Sequence, residues 1–288
     1  NFHEELEKRS VKINENTLVI GGGVSGLTAA LEIGNAGKKV FLIEKTDKLG
    51  GVASELDLLY PDLLSADQLM GPMIKQVVNH PNIEVFLNQE VDEVFGFIGN
   101  FQTELQVNGA AKEIEFGNVI VSTGLKNIDP NAVKPYGYGK FENVITSLQL
   151  EKMLKKGAVK TSDGHIPRNI AIIHCVGSRN AEYKDYCSRT CCMSALKYSN
   201  QLRSAYPESN IYELYADMRA FGKGCEEFYA RSSRRNIMFL MFDQRSDLPK
   251  IRKAALDDDC KLVIEMDELL SGEAVEIPAH MVVLMTGL

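Results

Sequence analysis

Short apolar runs alternate along this chain with longer amphipathic stretches, and the alternation predicts strands and helices in β-α-β order. Asn14–Ile20 ends in an unbroken apolar run and reads as a buried strand, with Gly21–Gly26 as the turn after it. Ser25–Gly37 reads as a helix whose apolar face is Leu27, Ala30, Leu31 and Ile33, and Lys39–Glu44 as a second strand. This unit is the opening of a doubly wound nucleotide-binding domain. A helix over Ser65–Asn79 and a strand over Ile83–Leu87 follow. Glu93–Ile98 and Gln102–Val107 are expected to form a hairpin through the Ile98-Gly99-Asn100 turn. Asn118–Ser122 is again a buried strand, closing at Thr123-Gly124.

From Asn127 to Gly139 the chain is rich in Pro, Gly and Asn, which predicts a crossover into another domain. A fresh β-α-β pattern then begins: strand Asn169–His174, helix Arg189–Ala205, strand Ile211–Ala216, with further strands at Ile237–Phe242 and Lys261–Met266. Met281–Met285 predicts a last strand ending in Thr286-Gly287, an echo of Thr123-Gly124. The expected organisation is α/β, with a first Rossmann-type domain over 1–140, a second over 141–277, and a return to the first over 278–288.

Composition changes little. The 288 residues, 44% hydrophobic and 25% charged, suit a globular α/β protein of two ordinary domains. A net charge of −7 argues against non-specific nucleic-acid binding. No apolar run reaches the roughly 18–20 residues of a spanning helix, so no transmembrane segment and a cytoplasmic location are expected. The polar start NFHEELEKRS, without an initiator Met, reads as a trimmed end.

Gly21-Gly22-Gly23-Val24-Ser25-Gly26 satisfies G-x-G-x-x-G directly after a strand and at the start of a helix. Gly21 makes the tight turn, Gly23 lets backbone approach a pyrophosphate, and Gly26 permits close helix–strand packing. Val24 and Ser25 then present the helix N-terminus to phosphate charge. Glu44, 23 positions after Gly21, stands where a carboxylate accepts ribose hydroxyls, and Lys45 follows it. Gly50-Gly51 soon after such an acid recurs in flavin enzymes. Ser122-Thr123-Gly124 resembles the second signature of two-dinucleotide flavoproteins. These resemblances favour FAD over NAD, and Glu90-Val91 is where such folds bring backbone to adenine.

The second domain lacks a comparable loop. Its first strand runs into Cys175-Val176-Gly177-Ser178-Arg179, with one glycine only. Cys175 opens a Cys-x11-Cys-x3-Cys-Cys series completed by Cys187, Cys191 and Cys192. Four thiolates are the usual holders of a [4Fe–4S] cluster. Cys187 and Cys191, at i and i+4, share a helical face or flank its first turn. Zinc and a redox disulfide are the alternatives, although neither the usual C-x2–4-C zinc pairs nor a C-x-x-C is present. Of the six cysteines, Cys225 and Cys260 stand apart and read as unpaired, partly buried thiols.

IIHCVGSRNAEYKDYCSRTCCMSALK, followed by ADMRAFGKGCEEFYAR, resembles the FAD-binding iron–sulfur component of heterodisulfide reductase and its relatives in sulfur-oxidising and quinone-interacting complexes. VIGGGVSGLTAALE, EKTDKLGG, NVIVSTGLKNIDP, KPYGYGKFENVITSLQLEKML and VVLMTGL extend the resemblance over nearly the whole chain. It implies a two-dinucleotide-binding-domain, thioredoxin-reductase-like flavoprotein. FAD would occupy the first domain, with a cluster on Cys175, Cys187, Cys191 and Cys192. Lys197 matches a family lysine beside the flavin ring, where a cation would favour reduced flavin; its other reading is a solvated helix lysine. Arg219 and Lys223 are read either as cofactor neighbours or as surface residues. Partner subunits of such a complex and a homodimer would follow. Larger members insert a ferredoxin module before the Thr-Gly strand, which Phe101–Phe116 bypasses, and Leu288 precedes their Gly-Asp motif, so a fragment is expected. The competing enzyme is an NAD(P)H-dependent flavin or disulfide oxidoreductase, which should carry a second glycine fingerprint.

Overall fold

A computed structural model describes residues 10–107, 109–245, 247–255 and 259–288. They divide into two compact units: residues through Glu55 with Ala66–Gly124, and Leu56–Ser65 with Leu125–Leu288.

The first unit is built on a four-stranded parallel sheet in the order Ile83–Leu87, Val40–Glu44, Thr17–Ile20, Asn118–Val121. Val40–Glu44 is buried along its length, and its side chains alternate between two cores. Val40 and Leu42 meet helices Val24–Asn35 and Ala66–Val78 through Leu27, Ala30, Met70 and Val77. Phe41 and Ile43 face Leu105, Ile114 and Phe116. Those three belong to an antiparallel sheet of Phe95–Phe97, Asn100–Val107 and Ala110–Phe116. The expected hairpin is present, and a third strand joins it. At roughly 1.5–3 kcal/mol per fully buried side chain, three anchors suffice to hold a sheet otherwise largely exposed to solvent.

The second unit carries a five-stranded parallel sheet: Val144–Thr146, Met281–Thr286, Asn169–Val176, Asn210–Tyr215, Ile237–Met241. Ile170 and Ile172 face the helices Ser147–Lys155 and Cys191–Ala205, packing with Leu150, Ala195 and Leu202. Ala171 and Ile173 face an antiparallel sheet of Lys250–Lys253, Leu262–Glu268 and Glu273–Ala279. A short helix, Cys225–Ser232, covers the start of the cysteine helix, and Tyr60 and Leu63 of the Leu56–Ser65 excursion join that cluster. No helix among the described residues is long and apolar enough to cross a membrane.

Two expectations about organisation need correction. Residues 278–288 do not return to the first domain, because Met281–Thr286 is a central strand of the second sheet. An apolar run buried on both faces specifies a central parallel strand but not which sheet receives it. The second unit also begins at Leu125 rather than 141 and recruits Leu56–Ser65 from between two elements of the first.

Candidate functional site

In the first unit the glycine turn is held from three sides. A Cβ on Gly26 would lie 1.8 Å from the Gly21 carbonyl oxygen, so the helix touches the strand end only because that position is glycine. The Gly50 N–H donates to the Gly22 carbonyl at 2.8 Å, and Gly50, with φ +111°, brings Gly51 against Gly23. Gly23 itself is open, with nothing within 4 Å of where its Cβ would stand. That is the free space a pyrophosphate needs beside the first N–H groups of the helix at Val24 and Ser25.

Glu44 is buried at the end of its strand. One carboxylate oxygen accepts the Gly22 N–H at 2.7 Å, and the other accepts the Thr46 N–H and hydroxyl, both at 2.9 Å. Burial alone would raise its pKa, but the Thr46 and Gly22 hydrogen bonds outweigh it and hold the carboxyl below its usual range. A cavity of about 290 Å³ brings together Gly21, Glu44, Lys45, Glu90, Val91 and Thr123. Gly124 does not line that cavity; it is exposed, with φ +80°. A shaped space flanked by an acid and strand-end backbone fits the adenosine half of a dinucleotide.

In the second unit the four cysteines gather at one end of the sheet. Cys175 has φ +56° where the Asn169–Val176 strand loses its regular register with Met281–Thr286. The cysteine helix starts at Cys191 and not at Arg189, because Arg189 is left-handed at φ +63° and cannot enter an α-helix. Cys191 and Cys192 therefore occupy its first two positions, where free N–H groups favour thiolate. Cys187 lies in the preceding loop, its sulfur accepting the Arg189 N–H at 3.3 Å, so it flanks the first turn. The Thr286-Gly287 ending closes the site, with the Met285 and Thr286 carbonyls 3.8 and 3.9 Å from the Cys191 sulfur.

Burial, then the neighbouring Cys191 and Cys192 sulfurs, pushes Cys175 up to about 12. Cys191 is pushed up to about 11 by burial and by Cys192. Cys192 departs in the other direction: burial raises it, but contact with the His174 ring prevails and holds it low. Several buried polar atoms around the quartet lack a hydrogen-bond partner among the described residues: Tyr136 OH, His174 Nδ1, Arg179 Nη1 and Gln244 Oε1. Tyr136 and Arg179 lie within electrostatic reach of Cys175, and Gln244 Nε2 donates to the Cys175 carbonyl at 3.2 Å. Orphaned polar atoms around four thiols are what a buried inorganic centre would leave behind. Among the described residues no three His, Cys, Asp or Glu side chains converge on a single ion. A four-iron cluster takes one thiolate per iron and requires no such convergence.

Sequence reasoning missed His174 and Glu213. Both are wholly buried, with His174 Nε2 3.0 Å from Glu213 Oε2. Burial would lower the histidine's pKa, but Cys192 and Glu213 together raise it to about 9. The available signal was one acid inside the apolar strand IYELY. A cavity of about 840 Å³ opens on Cys187 and Arg219, whereas Lys223 is simply exposed. Lys197 is no solvated lysine. It is buried, with Nζ 2.6 Å from Glu151 Oε2, and the Glu151 Oε1 accepts the Asp57 N–H at 2.8 Å. Burial lowers the Lys197 pKa against the pull of Glu151, and the pair presents a dipole rather than a lone cation. Cys225 is buried, and the Cys260 sulfur lies 3.3 Å from His280 Nδ1.

Gly177, the single glycine after the second unit's first strand, offers no cradle. A Cβ there would meet Ile128 at 2.9 Å and Val133 at 3.1 Å, so apolar side chains fill the space that Gly23 leaves open.

Comparison with known proteins agrees with this picture. The chain is 30% identical to a CoB–CoM heterodisulfide reductase iron-sulfur subunit of Methanopyrus kandleri, over 99% of this chain and 55% of that one. It is equally similar to the corresponding component of the H2:CoB-CoM heterodisulfide, ferredoxin reductase of Methanothermobacter marburgensis, with the same coverage. The chain thus spans about half the length of these relatives. Among solved structures it resembles Lactococcus lactis thioredoxin reductase (TM-score 0.56, 14% identity, 94% of this chain and 76% of that one). The bacillithiol disulfide reductase of Staphylococcus aureus is similar at TM-score 0.53 and 15% identity, with the same coverage. The expected thioredoxin-reductase-like α/β fold and the resemblance to the iron–sulfur flavoprotein component of heterodisulfide reductase are borne out. Residues 15–173 match the family described as pyridine nucleotide-disulphide oxidoreductase, and the chain belongs to that oxidoreductase family.

Proposed function

We propose that this chain is the flavin- and iron–sulfur-bearing electron-transfer portion of a heterodisulfide-reductase-like complex. FAD would bind on Gly21, Gly23, Val24, Ser25, Gly26, Glu44, Lys45, Gly50, Gly51, Val91, Thr123 and Gly124. A [4Fe–4S] cluster would bind on Cys175, Cys187, Cys191 and Cys192. When bound, the flavin supplies two-electron chemistry and the cluster one-electron chemistry, so the pair converts one into the other. The protein's own residues do the rest. The helix N-terminus behind Gly23 receives phosphate charge, and Glu44 has lone pairs left for ribose hydroxyls. Cys192, held low beside the His174 ring, is poised to lose its proton to a metal centre, whereas the buried Cys191 would give its proton up only to the metal itself. Lys197, the residue for which the resemblance implies a role toward the flavin, is held by Glu151 within the second unit. Partner subunits, a homodimer and a cytoplasmic location belong to the same reading.

The observation that carries it is the contrast between the two strand ends: open space beyond Gly23, and thiols with orphaned polar atoms where Gly177 is packed shut. The family match favours a second reading, an NAD(P)H-dependent flavin or disulfide oxidoreductase. Anaerobic purification with an absorption spectrum and an iron assay separates the two. Flavin bands with about four irons per chain support the proposal; flavin without iron, reduced rapidly by NADPH, supports its rival.

A further inference from the structure

We propose that Cys260 is a nucleophilic thiol, set against His280 and Asn169 beside a cavity of mixed charge, and that it forms a mixed disulfide with a zwitterionic low-molecular-weight disulfide of the amino-acid or peptide type. The inference goes beyond the function proposed above and does not depend on it.

Asn169 and Asn210 are the first residues of adjacent parallel strands, and His280 immediately precedes the strand Met281–Thr286. The cysteine quartet lies toward the other end of the same strands, where Met285 and Thr286 approach Cys191. The Cys260 sulfur is 3.3 Å from His280 Nδ1 and accepts the Asn169 Nδ2 hydrogen at 3.4 Å. Asn210 Nδ2 donates to Asn169 Oδ1 at 2.8 Å, which fixes the Asn169 amide with its hydrogens toward the sulfur. The Asn169 backbone N–H donates to His280 Nδ1 at 3.2 Å, so that nitrogen holds a lone pair. The ring hydrogen then sits on Nε2, 3.5 Å from an Asp259 carboxylate oxygen. A basic nitrogen facing a thiol, with a carboxylate behind the ring, is the arrangement that activates a cysteine. A cysteine that only filled space would need neither partner.

A cavity of about 910 Å³ runs past this thiol. Asp259 and Lys261, its neighbours in sequence, line it with His280, Arg168 and Glu208. Cys260 is only 7% exposed, which shields it from bulky reagents and leaves the cavity as the approach. Arg168 and Lys261 bring positive charge to the walls, and Asp259 and Glu208 bring negative charge. Such walls suit a ligand with both ammonium and carboxylate groups rather than a simple anion. In the exchange, His280 Nδ1 takes the Cys260 proton as the thiolate attacks one sulfur of the ligand. The ligand's S–S bond breaks as the bond to Cys260 forms, and the departing thiolate recovers the proton. Cys260 is oxidised, half of the ligand leaves as a thiol, and a further thiol reverses the step.

The test treats the full chain, His280→Gln and Arg168→Ala with glutathione disulfide or with the uncharged bis(2-hydroxyethyl) disulfide, following each cysteine by peptide mass mapping. Cys225, equally buried at 7%, is the internal reference. Cys260 should be modified ahead of Cys225, and faster by glutathione disulfide than by the uncharged reagent. His280→Gln should slow it about tenfold near pH 7, because an ordinary thiol of pKa about 8.5 is only a few per cent ionised there. That deficit should close above about pH 9, where the thiol ionises unaided. Arg168→Ala, at an exposed position, should slow glutathione disulfide alone. If His280→Gln does not fold, Arg168→Ala and the comparison with Cys225 decide. Cys260 reacting no faster than Cys225, or at the same rate without the imidazole, would overturn the proposal. Equal rates for the two disulfides, unchanged by Arg168→Ala, would overturn the ligand class assigned to the cavity.

Discussion

One methyl group at position 26 is enough to test the nucleotide site. Gly26→Ala puts a carbon where the Gly21 carbonyl already stands, an overpacking of about 1–3 kcal/mol. Denaturant unfolding should show that loss, and flavin retention on gel filtration should fall with it. Glu44 carries a pH signature. Its folded carboxyl sits below the unfolded value, so its stabilisation is complete above the unfolded pKa and is lost as pH falls toward the folded one. Glu44→Gln should therefore flatten the acid limb of stability, measured by urea unfolding from about pH 7 down to about pH 3. These residues were legible because each answers a backbone or ribose requirement at fixed spacing. Val91 was legible by position alone. His174 and Glu213 were not, since an acid inside an apolar run says nothing of what faces it from another strand.

At the scale of elements, the cysteine helix shows where pattern reading loses its grip. Its end was foreseen and its start missed by two residues, for a left-handed Arg189 leaves no mark in hydropathy. Cys191–Ala205 looks half polar, yet nearly every residue from Cys191 to Leu202 is buried. Its polar side chains bond inward instead: Lys197 to Glu151, Gln201 to Asp57, Asn200 to Ser232. Periodicity assigns polar residues to solvent, and tertiary partners reverse that assignment. Glu151→Ala should leave Lys197 buried without its carboxylate partner, costing about 3–5 kcal/mol in urea unfolding. Pairing Glu151→Leu with Lys197→Met should recover much of that loss, because no unmatched charge remains.

For the whole molecule, two Rossmann-like sheets are legible in the chain, but the sheet that receives the last strand is not. The run MVVLMT is apolar on both faces and would satisfy either sheet; lodging between Val144–Thr146 and Asn169–Val176 settles it. The Leu56–Ser65 excursion was equally hidden, being too short to carry a period. Two of its apolar residues, Tyr60 and Leu63, pack against Met193, Leu196 and Phe228. A fragment ending at Gly124 should therefore self-associate in light scattering, whereas the same fragment with Leu56–Ser65 replaced by a short Gly-Ser linker should stay monomeric.

The same excursion bears on biosynthesis. Leu56–Ser65 leaves the ribosome long before the helix that covers it has been translated, since Phe228 follows Tyr60 by more than half the chain. At about 5–20 residues per second, this greasy hairpin waits on the order of ten seconds or more in the open, a natural foothold for a chaperone while the first unit is already folding around its flanks.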